Sequence, residues 1–212
     1  MTVVQVALDL TDRRKALEVA EKVSRENIWL EAGTPLIKSL GVSIIKELKT
    51  NYPHLIIVAD MKTIDAGDVE ADLAFSNDAD VITVLGLASN ATIEKVVEKA
   101  KTYGGKVMVD LMEVKDVVRR SLEVKRLGVD IVCLHVGVDV QRKMGVNAKS
   151  LTNYVKNVKN VVKGDVAVAG GINDKTARTY VDAGVDILIV GKYITYSSDP
   201  LSALRTLTSL FR

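Results

Sequence analysis

The hexapeptide Asp60-Met61-Lys62-Thr63-Ile64-Asp65 places a carboxylate and an ammonium two residues apart, with a second carboxylate three residues on. Alternate residues of an extended segment share a face, so Asp60 and Lys62 are expected to point the same way. The carboxylate would keep Lys62 protonated and in place. A cation fixed there can stabilise an enediolate or carbanion as its charge develops. Glu31, at the end of another apolar run, adds a carboxylate near Asp60. Two carboxylates with room for water suit Mg2+, which takes oxygen ligands in an octahedral shell. Two glycine sites point to phosphate: Ala169-Gly170-Gly171-Ile172, before Asn173-Asp174, and Val190-Gly191-Lys192. Glycine lets a phosphate approach backbone N–H groups, and a helix opening at Asn173-Asp174 would add its dipole. Lys192 would supply a compact positive charge. The alternative is that these glycines only make tight turns; their occurrence in two consecutive loops favours a phosphorylated small-molecule substrate.

The elements that must position these groups are legible in the pattern. Short apolar runs occupy 3–9, 28–31, 55–60, 81–86, 106–111, 131–137, 166–171 and 187–191. Runs apolar at nearly every position mark strands buried on both faces, as in parallel sheets. Between them lie amphipathic stretches at about 12–24, 35–49, 66–76, 92–100, 115–127, 149–160, 174–183 and 199–210. In 92–100, for example, Ile93, Val96, Val97 and Ala100 form one stripe. The sixth unit carries an inserted loop around 138–148. Strict alternation implies right-handed βαβ crossovers, and eight repeats favour a closed (β/α)8 TIM barrel in a single domain spanning 1–212. An open doubly wound sheet is the alternative, weakened by the absence of GxGxxG after the first strand.

The polar residues gather at one end of these strands: Asp9, Glu31, Asp60, Asp110, His135, then the two glycine sites. In a barrel that is the catalytic end, and burying charges without partners is expensive. Plainer readings exist for some of them. Asp9 could cap the first helix, Asp110 could pair with a lysine, and His135 could be a satisfied core histidine. Thr34-Pro35 reads as an N-cap followed by proline at N1, which leaves Glu31 free for function. Cys133 reads as an inert buried hydrophobe, and His54 as a surface residue.

The chain has 212 residues, 48% of them hydrophobic, which excludes disorder. A single cysteine excludes internal disulfides and multi-cysteine zinc cages. A net charge of +2 and no basic cluster with interleaved aromatics give no argument for nucleic acid. No apolar run approaches the roughly 18 residues of a membrane span, and the N-terminal segment lacks the cationic stretch of a signal peptide. A cytoplasmic protein is expected.

Asp60-Met61-Lys62-Thr63-Ile64-Asp65 resembles the DxKxxD motif of the orotidine 5'-monophosphate decarboxylase suprafamily. Ala7-Leu8-Asp9, the strings EAGTPLIK at 31–38 and ADMKTIDAG at 59–67, HVGVDVQ at 135–141, and VAGGI at 168–172 are similar to the 3-hexulose-6-phosphate synthases within it. The resemblance spans essentially the whole chain. It implies Mg2+-dependent, reversible condensation of formaldehyde with D-ribulose 5-phosphate through a 1,2-enediolate. By this likeness Glu31 and Asp60 match metal-binding carboxylates, Lys62 the lysine beside the enediolate, and His135 the histidine of proton transfer. Asp9 matches a sugar contact, and Gly170, Gly171, Gly191 and Lys192 the phosphate site. Asp110 joins Asp9 and Glu31 as an expected substrate contact. Asp65 matches an aspartate contributed across a homodimer interface, so shared active sites are implied. The related 3-keto-L-gulonate 6-phosphate decarboxylases carry arginine three residues after the strand-6 histidine; Val138 stands there in this chain, which favours the synthase. An orotidine 5'-monophosphate decarboxylase is disfavoured by Glu31, and a barrel reduced to ligand sensing by the retention of every charged position.

Overall fold

The computed structural model describes residues 2–144 and 148–211. Eight parallel strands close into a barrel in sequence order: β1 (Val3–Leu8), β2 (Ile28–Ala32), β3 (Ile56–Thr63), β4 (Val81–Leu85), β5 (Lys106–Asp110), β6 (Ile131–His135), β7 (Asp165–Ala169) and β8 (Ile187–Val190), with β8 pairing back to β1. The open doubly wound alternative is excluded by that closure.

Strand residues alternate between two apolar layers, which is why the runs are apolar throughout. One set, including Val58, Val81, Met108, Ile131, Cys133, Ala167 and Ile187, fills the barrel interior. The other, including Val6, Leu30, Ile57, Ile82, Val109 and Val132, packs outward under the helices. Helix α5 (Asn90–Tyr103), for example, buries Ile93, Val96, Val97 and Ala100 on one stripe, and the Ser89 side chain caps it by accepting the Thr92 N–H. Burying each such aliphatic side chain is worth about 1.5–3 kcal/mol.

Following the inward positions upward shows how the site is built. They run Val3, Gln5, Ala7 and Asp9 from β1; Trp29 and Glu31 from β2; and Val58 and Asp60 from β3. Val81 and Thr83 follow on β4, Met108 and Asp110 on β5, and Ile131, Cys133 and His135 on β6. The inner layer is apolar in its lower part, apart from the exposed Lys106 and Asp165 that open β5 and β7 and from Gln5, and six strands carry a polar inward side chain further up. The two-residue period therefore delivers the functional groups to one end of the barrel.

Several sequence expectations need correction. The segment 35–49 forms two helices, α2 (Thr34–Leu40) and α3 (Ser43–Asn51), separated at Gly41. The inserted loop around 138–148 contains a helix, α7 (Val138–Met144); its remainder at 145–147 lies outside the described residues. Asp12, not Asp9, caps α1 (Arg13–Val23), its side chain accepting the Lys15 N–H. Thr34 is not an N-cap: Gly33 holds that position, and the Thr34 hydroxyl turns to Asp60. The helix after β7, α9 (Ala177–Asp182), leaves only turns at 174–176, so no helix opens beside Gly170 and Gly171, whereas a four-residue helix, Lys192–Thr195, opens directly after Gly191. His54 is exposed as expected, its ring 2.9 Å from the Ser24 carbonyl, and Cys133 is buried in the inner layer.

Candidate active site

The upper end of the barrel opens into a cavity of about 1060 Å3. Asp9, Glu31, Asp60, Lys62 and His135 line its floor; Gly170, Gly171, Gly191 and Lys192 line its wall. Nine of the sequence-predicted site residues therefore converge on one space.

Lys62 is the centre of the floor. Its Nζ lies 2.6 Å from Asp60 Oδ2 and 3.5 Å from Asp110 Oδ2. Burial disfavours its charge, but Asp60, Asp110 and Glu31 outweigh that, and its pKa is raised above the ordinary lysine value. The ammonium form is fixed. Simple alternation along β3 does not explain how Lys62 gets there. The pairing of β3 with β4 slips between Ala59↔Ile82 and Thr63↔Val84, so β3 advances four residues against two. Within that bulge Lys62 takes a left-handed backbone conformation, φ +48°. Such strain in a non-glycine residue persists only where its surroundings impose it, and it collects at functional sites.

Asp60 is held on both oxygens. Thr83 Oγ1 donates to Oδ1 at 2.8 Å, and Thr34 Oγ1 lies 2.6 Å from Oδ2. Asp110 Oδ1 accepts the Met112 N–H, and its Oδ2 lies 2.7 Å from His135 Nδ1. Burial would raise the Asp110 pKa, but the bond from His135 and the charges of His135 and Lys62 hold it below the ordinary value. Against an ionised Asp110, which can only accept, His135 Nδ1 is the donor of that bond. Asp110 does not line the cavity. It is buried against Lys62 and His135, and its side-chain contacts are with these two groups and the Met112 N–H.

Glu31 is buried, and its Oε2 accepts from Gln5 Nε2 at 2.5 Å. Burial, then the charges of Asp60 and Asp9, push its carboxyl well above the ordinary range. Asp9 is raised by burial and by Asp60. Exposed to the cavity just beyond β1, it leaves no room for a side chain at Gly33, where a Cβ would collide with its carboxylate, and a Cβ at Gly191 would lie 3.3 Å from it. Four carboxylates, from Asp9, Glu31, Asp60 and Asp110, thus surround one half-buried ammonium. The surplus of negative charge on an all-oxygen donor set fits a hard divalent cation. Glu31 and Asp60 are the residues that would hold it. Among the described residues no group of three or more His, Cys, Asp or Glu forms a metal cage, which leaves part of the shell to water or substrate.

In the wall, Gly170 has φ +105°, and a Cβ there would strike the Val136 carbonyl. Only glycine fits between β6 and the cavity at that point. Asp65 stands apart from the rest. It is exposed on the segment between β3 and α4 (Gly67–Phe75), outside the cavity of the single chain. Sequence reasoning missed Gln5 and Thr83. Each is the lone polar residue in an apolar strand at an inward position, and that signal could have found both.

Comparison with known proteins agrees with this geometry. The sequence profile described as "Orotidine 5'-phosphate decarboxylase / HUMPS family" matches residues 2–207. The chain belongs to that family. Within it, a 3-hexulose-6-phosphate synthase of Mycobacterium gastri is 38% identical over 203 residues, covering 96% of each chain. A crystal structure of a 3-hexulose-6-phosphate synthase superposes with a TM-score of 0.94 at 37% identity, covering 100% of both chains. The family's decarboxylase branch is also near in fold: a crystal structure of KGPDC from Streptococcus mutans gives a TM-score of 0.93 at 25% identity, over 99% of this chain and 96% of that one.

Proposed function

We propose that this protein is a 3-hexulose-6-phosphate synthase, an aldolase-type lyase that joins formaldehyde to D-ribulose 5-phosphate, reversibly, giving D-arabino-hex-3-ulose 6-phosphate. The observation that carries this reading is the Lys62 ammonium, pinned between Asp60 and Asp110 on the floor of a cavity whose wall is glycine-rich. The identity to curated synthases supports it.

The residues divide the work. The N–H groups around Gly170, Gly171 and Gly191, with Lys192, bind the phosphate. Asp9 orients the sugar hydroxyls. His135 Nε2 takes a proton from C1 of ribulose 5-phosphate; the electron pair left behind delocalises onto the C2 carbonyl as a 1,2-enediolate. Lys62 stands beside the oxygen on which charge grows. C1 then attacks the formaldehyde carbon as the C2 carbonyl re-forms, and the oxygen that came from formaldehyde takes the proton from His135. Mg2+, held by Glu31 and Asp60, would supply Lewis-acid stabilisation of charge on the sugar oxygens.

The enzyme acts, in this reading, as a cytoplasmic homodimer. Ile64, Val69 and Leu73 are 52%, 57% and 44% exposed around Asp65, an apolar surface of the kind that marks an interface. A second copy seated there would receive Asp65 into its own cavity. Mixing inactive Asp65→Ala with inactive Lys62→Ala protein should then restore activity, up to about a quarter of the wild-type level; no recovery after subunit exchange contradicts shared sites.

The function itself is tested by comparing kcat/KM for formaldehyde consumption with ribulose 5-phosphate against kcat/KM for CO2 release from 3-keto-L-gulonate 6-phosphate. The proposal expects the first to dominate by about 100-fold or more, since specificity is a ratio of these constants. Dominant CO2 release would assign the protein to the decarboxylase branch. EDTA should abolish condensation and added Mg2+ restore it.

A further inference from the structure

Strand β4 contributes no charged group to the cavity floor, yet it lies beside the bulge that carries Lys62. Its inward polar residue is Thr83, 3% exposed. Thr83 occupies the position between the two register points, Ala59↔Ile82 and Thr63↔Val84, where the β3–β4 ladder is broken. Its Oγ1 makes two bonds. The Lys62 backbone N–H donates to it at 2.9 Å, and it donates to Asp60 Oδ1 at 2.8 Å. The directions are forced, because a backbone N–H can only donate and a carboxylate can only accept. One hydroxyl therefore accepts from the N–H that the bulge removes from the ladder and donates a hydrogen bond to the acid that holds the lysine side chain.

We infer that Thr83 is a positioning residue for the reaction, whose hydroxyl ties the backbone of Lys62 to the carboxylate of Asp60 and so aims the ammonium at the reacting oxygens. The inference rests on the synthase reading. Lys62 is in a strained conformation that relaxes unless its surroundings hold it, and Thr83 supplies the bond to its N–H. Thr34 anchors the other oxygen of Asp60, whereas the Lys62 backbone N–H goes to Thr83, so the link from acid to lysine backbone runs through Thr83. Valine has nearly the same shape and no hydroxyl, so it removes both bonds at once. A displacement near 1 Å at a reacting centre costs about 100-fold in rate.

The test uses wild type, Thr83→Val, Thr83→Cys and Thr83→Ser, each with Mg2+. Three quantities are measured: condensation kcat, exchange of the C1 proton of ribulose 5-phosphate with D2O in the absence of formaldehyde, and ribulose 5-phosphate affinity by calorimetry. Thr83→Val should lose about 100-fold in both kcat and C1 exchange, with affinity within about threefold of wild type, because the phosphate wall is untouched. Thr83→Ser, which keeps the hydroxyl, should stay within about fivefold of wild type. Thr83→Cys, whose thiol bonds weakly, should fall between them and replaces the valine variant if that protein does not fold. The inference is overturned if C1 exchange in Thr83→Val, or in Thr83→Cys in its place, stays within threefold of wild type. It is also overturned if affinity and rate fall in equal proportion, or if serine rescues no better than cysteine. A wild-type protein that neither exchanges nor condenses would instead refute the synthase reading itself.

Discussion

The two rims of the barrel use the same residue types for opposite ends. At the lower rim, Asp80, Asp130 and Asp186 precede β4, β6 and β8, and each reaches sideways to the preceding strand. Asp80 Oδ2 accepts the Ile57 N–H at 2.7 Å, Asp130 Oδ2 the Val107 N–H at 2.8 Å, and Asp186 Oδ2 the Val166 N–H at 2.7 Å. A lysine accompanies each: Lys49 and Lys159 lie 2.8 Å from Asp80 and Asp186, and Lys125 donates to the Asp130 carbonyl at 3.1 Å. There two of the three acids are matched with cations, and all three tie strand ends together. At the upper rim four carboxylates face one half-buried ammonium, and the mismatch is relieved by keeping Lys62 charged and pushing Glu31 and Asp9 upward. Stability and chemistry are separated along the barrel axis.

That separation can be broken from either side. The largest effect is expected at the upper rim: Lys62→Ala should cut kcat by about 100- to 1000-fold, the scale of losing one preorganised electrostatic group, while the melting temperature moves by only a few degrees. At the lower rim Asp186→Ala should do the reverse. It leaves the Val166 N–H without its partner, costing about 1–2 kcal/mol, or roughly 3–8 °C in Tm, with kcat unchanged below the transition; calorimetry beside steady-state kinetics checks both.

The smallest effect sharpens the comparison. A carboxylate whose folded-state pKa lies above its unfolded value binds more protons when folded. Stability then falls as pH rises from the ordinary glutamate value through the raised one. Glu31→Gln, assayed in EDTA, should therefore melt about 2–4 °C higher than wild type at pH 7.5, with the gap narrowing at pH 5. A gap independent of pH would mean that Glu31 carries no strain from its neighbours.

Much of this was legible in the residues. The eight apolar runs fall within one or two residues of the strands except at β3, where the expected end at Asp60 gives way to a bulge reaching Thr63. Period and composition carry no mark of a register slip, because the cause lies across the sheet in Thr83 and Asp60. The charged ring was visible as polar residues ending apolar runs. Asp110 was visible as a polar strand end, but the pattern gives strand position and not depth; the structure buries it against Lys62 and His135. The helix over Val138–Met144 was missed because a seven-residue stretch is too short for a helical stripe to show. Asp65 was read from a motif, and nothing in its surroundings within one chain explains it.

The account is tested most directly by following 13C-formaldehyde with ribulose 5-phosphate and Mg2+ by NMR, using wild type, Lys62→Ala and Asp186→Ala side by side at a temperature where all are folded. It predicts label at C1 of hex-3-ulose 6-phosphate with wild type and Asp186→Ala at equal rates, and at least about 100-fold less with Lys62→Ala. Labelled sugar forming as fast with Lys62→Ala, or none forming with wild type, would contradict it.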